Sequence, residues 1–314
     1  MKDFVTAKLD TPAGAASPQW KEEPAMTQQG FKKFRRRRGN RQDPVVEAAP
    51  EVLGFADAPA QADDVVQPEP IAQVPAPLPE PWEILRRVPI GVREHQLACS
   101  PLVNFFRDDP AAKAFDLLRT RLLHTLKANG WKRVAIAAPT SGAGTTFTAV
   151  NLALSLARVP HSRTILMDLN HRHPGLATAL KLDQPGDMAG FLTGEVSMEE
   201  HLIRPAETLA LGLTEAPDRN AAEILHDSQC ADTLEDMIDR TKADVVIYDL
   251  PPVLEYDDLT AFLPQVDGVL LVSDGTQTTA EHLAACEKML AGHTQLLGVV
   301  LNRARHAENA YLGR

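Results

Sequence analysis

Apolar positions in the second two-thirds of the chain follow two rhythms. Between Lys113 and Lys127, Phe115, Leu118, Leu122 and Leu126 recur at helical spacing, which predicts a helix with one buried face. Short apolar runs bounded by turn residues come next: Val134 to Ala138, Thr164 to Asp168, Leu209 to Leu213, Val245 to Asp249, Val269 to Ser273 and Leu297 to Leu301. Helical patterns fill most of the gaps, notably Thr146 to Arg158, Ala221 to Ile238 and Ala280 to Ala291. Strands alternating with helices imply parallel pairing through right-handed crossovers. Runs this apolar are buried on both faces, as in a sheet sandwiched between helix layers. The expected fold is α/β, a mostly parallel sheet with helices on both faces, formed by roughly residues 95–314.

Ahead of that domain both rhythms are absent. Met1 to about Arg41 is polar and ends in a basic run, with seven Lys or Arg in residues 32–41 and Phe31 and Phe34 beside them. From Asp43 to Pro81 the sign reverses: there is no Lys or Arg, several Asp and Glu, and prolines at 44, 50, 59, 68, 70, 75, 77, 79 and 81. Alternating Ala-Pro and Leu-Pro cannot donate a ladder of backbone hydrogen bonds, so this reads as an extended, polyproline-like linker. The expectation is a disordered basic segment over 1–42 and an acidic Pro/Ala-rich linker over 43–82, with no packed structure before about residue 82.

Composition narrows the class. The 314 residues carry a formal charge of -10, which excludes a generic nucleic-acid binder while leaving room for a local basic patch. Cys99, Cys230 and Cys286 are odd in number and widely spaced, so they offer neither metal spacing nor a disulfide framework and fit a reducing compartment. No apolar run follows Lys2 and nowhere do 18 apolar residues stand together, so neither secretion nor a membrane span is expected.

Ligands of open α/β sheets bind beyond the carboxyl ends of the strands, which directs attention to the turn after the first long strand. It reads Pro139-Thr140-Ser141-Gly142-Ala143-Gly144-Thr145-Thr146-Phe147-Thr148 and runs straight into a helix. Small residues and two glycines let backbone N–H groups curl around an anion, with the helix N-terminus behind them. Thr146 stands where a P-loop places its Mg²⁺ ligand, but the first Gly of G-x-x-x-x-G-K-[ST] falls on Pro139 and the Lys on Thr145. An ordinary Gly-Ala-Gly turn remains open on the loop alone. Two further strands end in a lone carboxylate, Asp168 and Asp249, on the same edge of the sheet. A Mg²⁺-nucleotide needs carboxylates there, although a helix cap or turn former explains either one singly.

Taken together, the loop, Asp168-Leu169-Asn170-His171-Arg172-His173-Pro174 and Asp249-Leu250-Pro251-Pro252 resemble the P-loop domain of bacterial tyrosine kinases of capsule and exopolysaccharide biosynthesis, relatives of the MinD and ParA ATPases. The likeness extends over most of residues 113–305. Ala114-Phe115 and Leu118-Arg119-Thr120 are similar to the family's leading helix, and Asn151-Leu152-Ala153 to its next one. Leu192-Thr193-Gly194 and Val266-Asp267-Gly268-Val269 match later segments, and Gly298-Val299-Val300-Leu301-Asn302 a strand whose terminal Asn lies near the adenine. The resemblance implies ATP phosphates on the backbone from Gly142, Ala143 and Gly144 through Thr145, Thr146 and Phe147, and Mg²⁺ near Thr146, Asp168 and Asp249. Asp168, Asn170, Arg172 and Asp249 become the catalytic candidates. It further implies phosphorylation of tyrosines in the tail of a neighbouring copy, and an inner-membrane polysaccharide co-polymerase as partner of a cytoplasmic, membrane-peripheral protein.

Four positions depart from the family pattern. The P-loop Lys is Thr145, which can donate a hydrogen bond but cannot neutralise phosphate charge. The second Asp of D-x-D-x-R is Asn170, although Arg172 remains. The family's E-x-x-R-x-x-R oligomer motif falls on Lys113, Asp116 and Arg119, with two charges inverted. The tail from Ala304 holds one tyrosine, Tyr311, in place of a cluster; Tyr248 and Tyr256 read as packing or switch-segment residues. Two functions are compatible with these losses: a kinase with weakened ATP chemistry, and a nucleotide-binding or nucleotide-free pseudokinase regulating polysaccharide export. A ParA-like positioning ATPase lacks its extra loop lysine. The basic run at 32–41 is either a solvated charge run or a tether for anionic lipid. Nucleic acid is a weaker alternative beside the acidic linker.

Overall fold

The computed structural model describes residues 5–6, 80–90, 102–103, 109–183 and 186–304. Apart from Val5 and Thr6, which form a short strand where no packed structure is expected, the expectations for residues 1–42 and most of the linker, and those for Cys99 and Tyr311, lie outside the described residues. Among the described residues nine strands form one sheet: β1 (Val5–Thr6), β2 (Arg86–Arg87), β3 (Arg133–Ala137), β4 (Thr164–Asp168), β5 (Ile203–Ala206), β6 (Leu209–Gly212), β7 (Val245–Asp249), β8 (Gly268–Asp274) and β9 (Gln295–Asn302). Their order is β1-β9-β8-β3-β7-β4-β6-β5-β2. Pairing is parallel except between β1 and β9 and between β5 and β6.

Each central strand divides its side chains between two apolar layers, as the pleat requires. Val134, Ile136, Leu166, Ile247, Leu270 and Val272 enter one layer, while Ala135, Ala137, Ile165, Met167, Val246, Val269 and Leu271 enter the other. The first layer is covered by the helices Pro110–Asn129 and Thr145–Leu156, through Phe115, Leu118, Leu122, Ala149, Leu152 and Leu156. The second is covered by Ser228–Thr241, Asp258–Phe262 and Ala280–Leu290, through Leu234, Met237, Phe262 and Leu290. Cys230 and Cys286 are buried there as free thiols. This is the mostly parallel α/β sandwich that the apolar pattern predicts.

Three local differences have physical reasons. The leading helix starts at Pro110, where the Asp109 side chain accepts from Ala111 N at 2.8 Å and proline fits the first turn. The single helix expected from Ala221 to Ile238 is two, Ala221–His226 and Ser228–Thr241, because Asp227 adopts an extended backbone and caps the second through Gln229 N at 2.9 Å. The antiparallel β5–β6 pair was not visible, since β5 is four residues long and contains Pro205.

Residues 80–90 also join the sheet. After the helix Pro81–Ile84, β2 pairs with β5, and Trp82 is only 1% exposed. Its Nε1 donates to Glu207 O at 2.9 Å, and the Arg163 guanidinium lies 5.5 Å above its ring. Arg204, buried with a side chain 1% exposed, donates to Trp82 O at 3.0 Å and to Glu83 Oε2 at 2.8 Å. Burial of one large aromatic surface and a guanidinium bonded through both terminal nitrogens fixes this stretch, although it shows no periodicity in sequence.

Candidate functional site

The loop after β3 turns on two glycines in the left-handed region, Gly142 (φ 79°) and Gly144 (φ 97°). At Gly144 a Cβ would also lie 2.3 Å from Asn302 Nδ2, so glycine is required there twice over. The loop is held from outside. Asn302 Nδ2 donates to Ala143 O at 2.8 Å, and Arg303 Nη1 to Gly142 O at 2.9 Å. Leu254 N reaches Pro139 O at 3.1 Å, and Glu255 accepts from Ser141 N at 2.7 Å and from its hydroxyl. Among the described residues no acceptor meets the N–H of Ala143 or Gly144. A turn with its carbonyls braced and its N–H groups open is built to receive an anion.

Asp168 and Asp249 end β4 and β7 as register partners, so their backbones are separated by the parallel-strand spacing of about 4.8 Å. Both are fully buried. Asp168 Oδ2 accepts from Gly175 N at 3.1 Å and Leu176 N at 3.0 Å, and its Oδ1 from Asn170 N at 3.3 Å. Thr146 Oγ1 donates to Asp249 Oδ2 at 2.6 Å, while Asp249 Oδ1 is buried with no partner among the described residues. Burial pushes the Asp168 carboxyl up to about 6, against the pull of the N–H groups of Leu176, Gly175 and Asn170. Burial raises Asp249 well above the usual carboxylate range, the Asp168 charge adds to it, and the hydroxyls of Thr146 and Thr145 oppose it. The two acids therefore retain proton at pH values where isolated carboxyls have lost it.

Among the described residues no group of three or more His, Cys, Asp or Glu side chains gathers around a metal position. Two carboxylates and a hydroxyl form a sparse oxygen set, suited to Mg²⁺ that brings phosphate oxygens and water with it rather than to a fully caged ion. The orphaned Asp249 Oδ1 fits that group.

The remaining sequence candidates fall elsewhere. Asn170 Oδ1 accepts from His173 N at 3.1 Å, so the side chain closes its own turn. Arg172 does not reach the loop: Asp258 Oδ2 accepts from its Nε at 3.2 Å and Nη2 at 3.1 Å, Arg219 O from its Nη1 at 3.2 Å, and its guanidinium lies 5.1 Å from the Tyr256 ring centre. Phe147 turns toward the core, its ring edge-on to Phe115 at 5.9 Å. In the leading helix, Asp116 Oδ1 accepts from Ser155 Oγ at 2.7 Å, from Arg119 at 3.2 Å and from Arg158, so Asp116 and Arg119 bind the next helix of the same chain. Tyr248 is wholly buried and packs edge-on to Phe262. Sequence reading missed Glu255 and Arg303. The only trace of the latter is its place directly after the strand-terminal Asn302.

No family model matches the chain. It is 27% identical over 200 residues to the putative tyrosine-protein kinase EpsB of Ralstonia nicotianae, a match covering 62% of this chain and 26% of that protein. With tyrosine-protein kinase YwqD of Bacillus subtilis it shares 28% identity over 207 residues, 64% of this chain and 86% of YwqD. Over about 200 residues the chain is thus similar to bacterial tyrosine kinases, and this part is called its kinase-like domain. The kinase-like domain spans about a quarter of the length of EpsB and most of YwqD. The solved kinase domain of VpsO superposes with a TM-score of 0.53 at 27% identity, over 62% of this chain and 98% of that one. The kinase domain of the Escherichia coli tyrosine kinase ETK matches in fold, with a TM-score of 0.59 at 21% identity over 67% and 83% of the two chains. The fold of the kinase-like domain is thus the P-loop fold of these kinases. No helix among its described residues is long and apolar enough to cross a membrane.

Proposed function

We propose that this domain binds a Mg²⁺-nucleotide at the carboxyl ends of β3, β4 and β7 and regulates exopolysaccharide or capsule assembly as a tyrosine kinase-like protein with weakened phosphoryl transfer. The observation that carries the proposal is the buried register pair Asp168–Asp249, with one oxygen unmet and Thr146 beside it, facing a loop with open N–H groups. Thr146, Asp249 and Asp168 would hold the metal, directly or through water. The backbone of Gly142 to Thr146 would hold the phosphates. Mg²⁺ bound there would neutralise charge building on the transferred phosphoryl group. The chain's own contribution is to orient phosphates on fixed dipoles and, at Asp249, to give up a proton as the cation arrives.

Transfer is expected to be slow, because Thr145 supplies no positive charge and Arg172 is engaged by Asp258. These two facts favour a second reading, a pseudokinase that binds nucleotide without turning it over. Calorimetric titration with ATP and ADP, with and without Mg²⁺, tests the common part; ATPase and tyrosine autophosphorylation assays separate the two readings. Absence of any Mg²⁺-dependent binding would overturn both. In this picture the protein works in the cytoplasm beside an inner-membrane polysaccharide co-polymerase, with residues 32–41 drawn to anionic lipid. Sedimentation with anionic vesicles should weaken when Arg35 to Arg38 are changed to Ala. Self-association through the leading helix is expected to be poor, since Asp116 and Arg119 are engaged within the chain.

A further inference from the structure

We propose that Arg303 is a positioning residue that, together with Asn302, sets the phosphate loop in its anion-receiving form before any ligand arrives, an inference that rests on the nucleotide reading above. In a trans peptide the C=O and N–H point in opposite directions, and no cis peptide occurs among the described residues. The carbonyls of Gly142 and Ala143 are each drawn outward, the first by Arg303 Nη1 at 2.9 Å and the second by Asn302 Nδ2 at 2.8 Å. Their peptide partners, the N–H groups of Ala143 and Gly144, must then face the other way. Both are among the loop donors that meet no acceptor among the described residues. Two successive residues at the end of β9 thus orient two successive peptide planes of the turn.

Arg303 is itself held for this task. Its φ of 54° lies in the left-handed region, uncommon for a residue with a side chain. Asn302 Oδ1 accepts from Arg303 N at 2.9 Å, so the residue bracing one carbonyl also fixes the backbone that aims the other donor. The guanidinium also pairs with Asp274, whose carboxylate is buried and accepts from Thr276 N and Oγ1 at 2.8 and 2.7 Å. One terminal nitrogen, Nη1, serves both Gly142 O and Asp274, so the buried carboxylate holds the donor that braces the loop. A fixed positive charge at the loop also stands in a chain whose loop lysine is Thr145. It lies behind the carbonyl side, so it polarises the peptide without touching phosphate.

The test compares the full chain with Arg303→Ala and Arg303→Lys. In nucleotide-free protein, amide exchange at Ala143 and Gly144 measured by NMR should quicken about fivefold or more in Arg303→Ala, with the amides of β3 and β7 unchanged, and Arg303→Lys should fall between. In titrations with Mg²⁺, affinity for ADP should fall about fivefold in Arg303→Ala while affinity for adenosine stays level. Unaltered exchange at Ala143 and Gly144 would overturn the inference. An equal loss for adenosine and ADP would also overturn it, since Arg303 would then be reading the base. Should the wild type bind neither ADP nor adenosine, the nucleotide reading fails, and the exchange rates alone decide on Arg303. Arg303→Lys keeps the comparison available if the alanine variant does not fold.

Discussion

The edge of the sheet and the carboxyl ends of its central strands treat buried charge in opposite ways. At the edge reached by residues 80–90, Arg204 is almost entirely enclosed, yet its terminal nitrogens meet Trp82 O and Glu83, while Arg163 stacks on Trp82 and bonds Glu80 and Thr241 O. At the carboxyl ends of β4 and β7, Asp168 and Asp249 are enclosed side by side, share like charge, and face no cation among the described residues. The first arrangement meets its charge from within the fold, although Arg204 Nε has no partner among the described residues. The second needs something added, because like charges in a low-dielectric setting are costly unless protonated or met by a counter-charge. The edge therefore holds the fold together and the strand ends wait for a ligand.

The comparison breaks most sharply at Arg204. Arg204→Ala removes the donor to Trp82 O, the pair with Glu83 and the packing of the stem, with an expected cost of about 3 kcal/mol and a fall in thermal midpoint of roughly 10 °C. Calorimetry should show it at any nucleotide concentration, and an unchanged midpoint would deny this edge its structural role.

At the aspartate pair the sign reverses. A carboxyl whose folded pKa stands above its unfolded value favours the fold at low pH, and that contribution is lost as pH rises through the folded pKa. For Asp168 the window runs from 3.8 to about 6, and Asp249, raised well above the usual range, adds a loss of the same sign as pH rises. Asp249→Asn should therefore stabilise ligand-free protein at pH 8 by about 2 kcal/mol, with little gain at pH 5, and should abolish any Mg²⁺ dependence of nucleotide binding. Destabilisation at pH 8 would contradict the electrostatic reading.

Thr145→Lys tests the charge missing from the loop. Affinity for ADP should rise about tenfold with Mg²⁺, adenosine affinity should hardly move, and Asn170→Asp should add less, since Asn170 serves its own turn. The smallest effect is expected at Glu255, whose carboxylate sits on Ser141 at the exposed edge of the loop. Glu255→Gln should raise ADP affinity about twofold at low salt and less at high salt, because exposed charges are screened. A larger change would make Glu255 a gate rather than a brace.

Much of this was legible in sequence because it is periodic or terminal. Short continuous apolar runs in β3, β4, β7 and β8 gave away their burial, and the two aspartates announced themselves by ending such runs beside a Gly-rich turn. What escaped depends on pairing between distant positions. Arg172 with Asp258 and Arg204 with Trp82 leave no local trace, so Arg172 stands among the catalytic candidates of its motif although its partner lies 86 residues on. Phe147 was read by its place in the loop, whereas its ring answers to Phe115. The break at Asp227 was visible as an Asp-Ser pair, but the apolar period continues across it and concealed the second cap.

The register pairing of Asp168 with Asp249 has one more consequence. Side chains on flexible loops can drift apart to suit a larger guest; these two cannot without prising open the ladder between β4 and β7, in the middle of the sheet. The sheet is a ruler, and the interval it marks is about 4.8 Å. Small ions with short, strict ligand distances suit such a ruler better than large, forgiving ones. Replacements in the neighbouring loop can weaken or strengthen what happens at the site, but its dimension is written into the core, and it will outlast them.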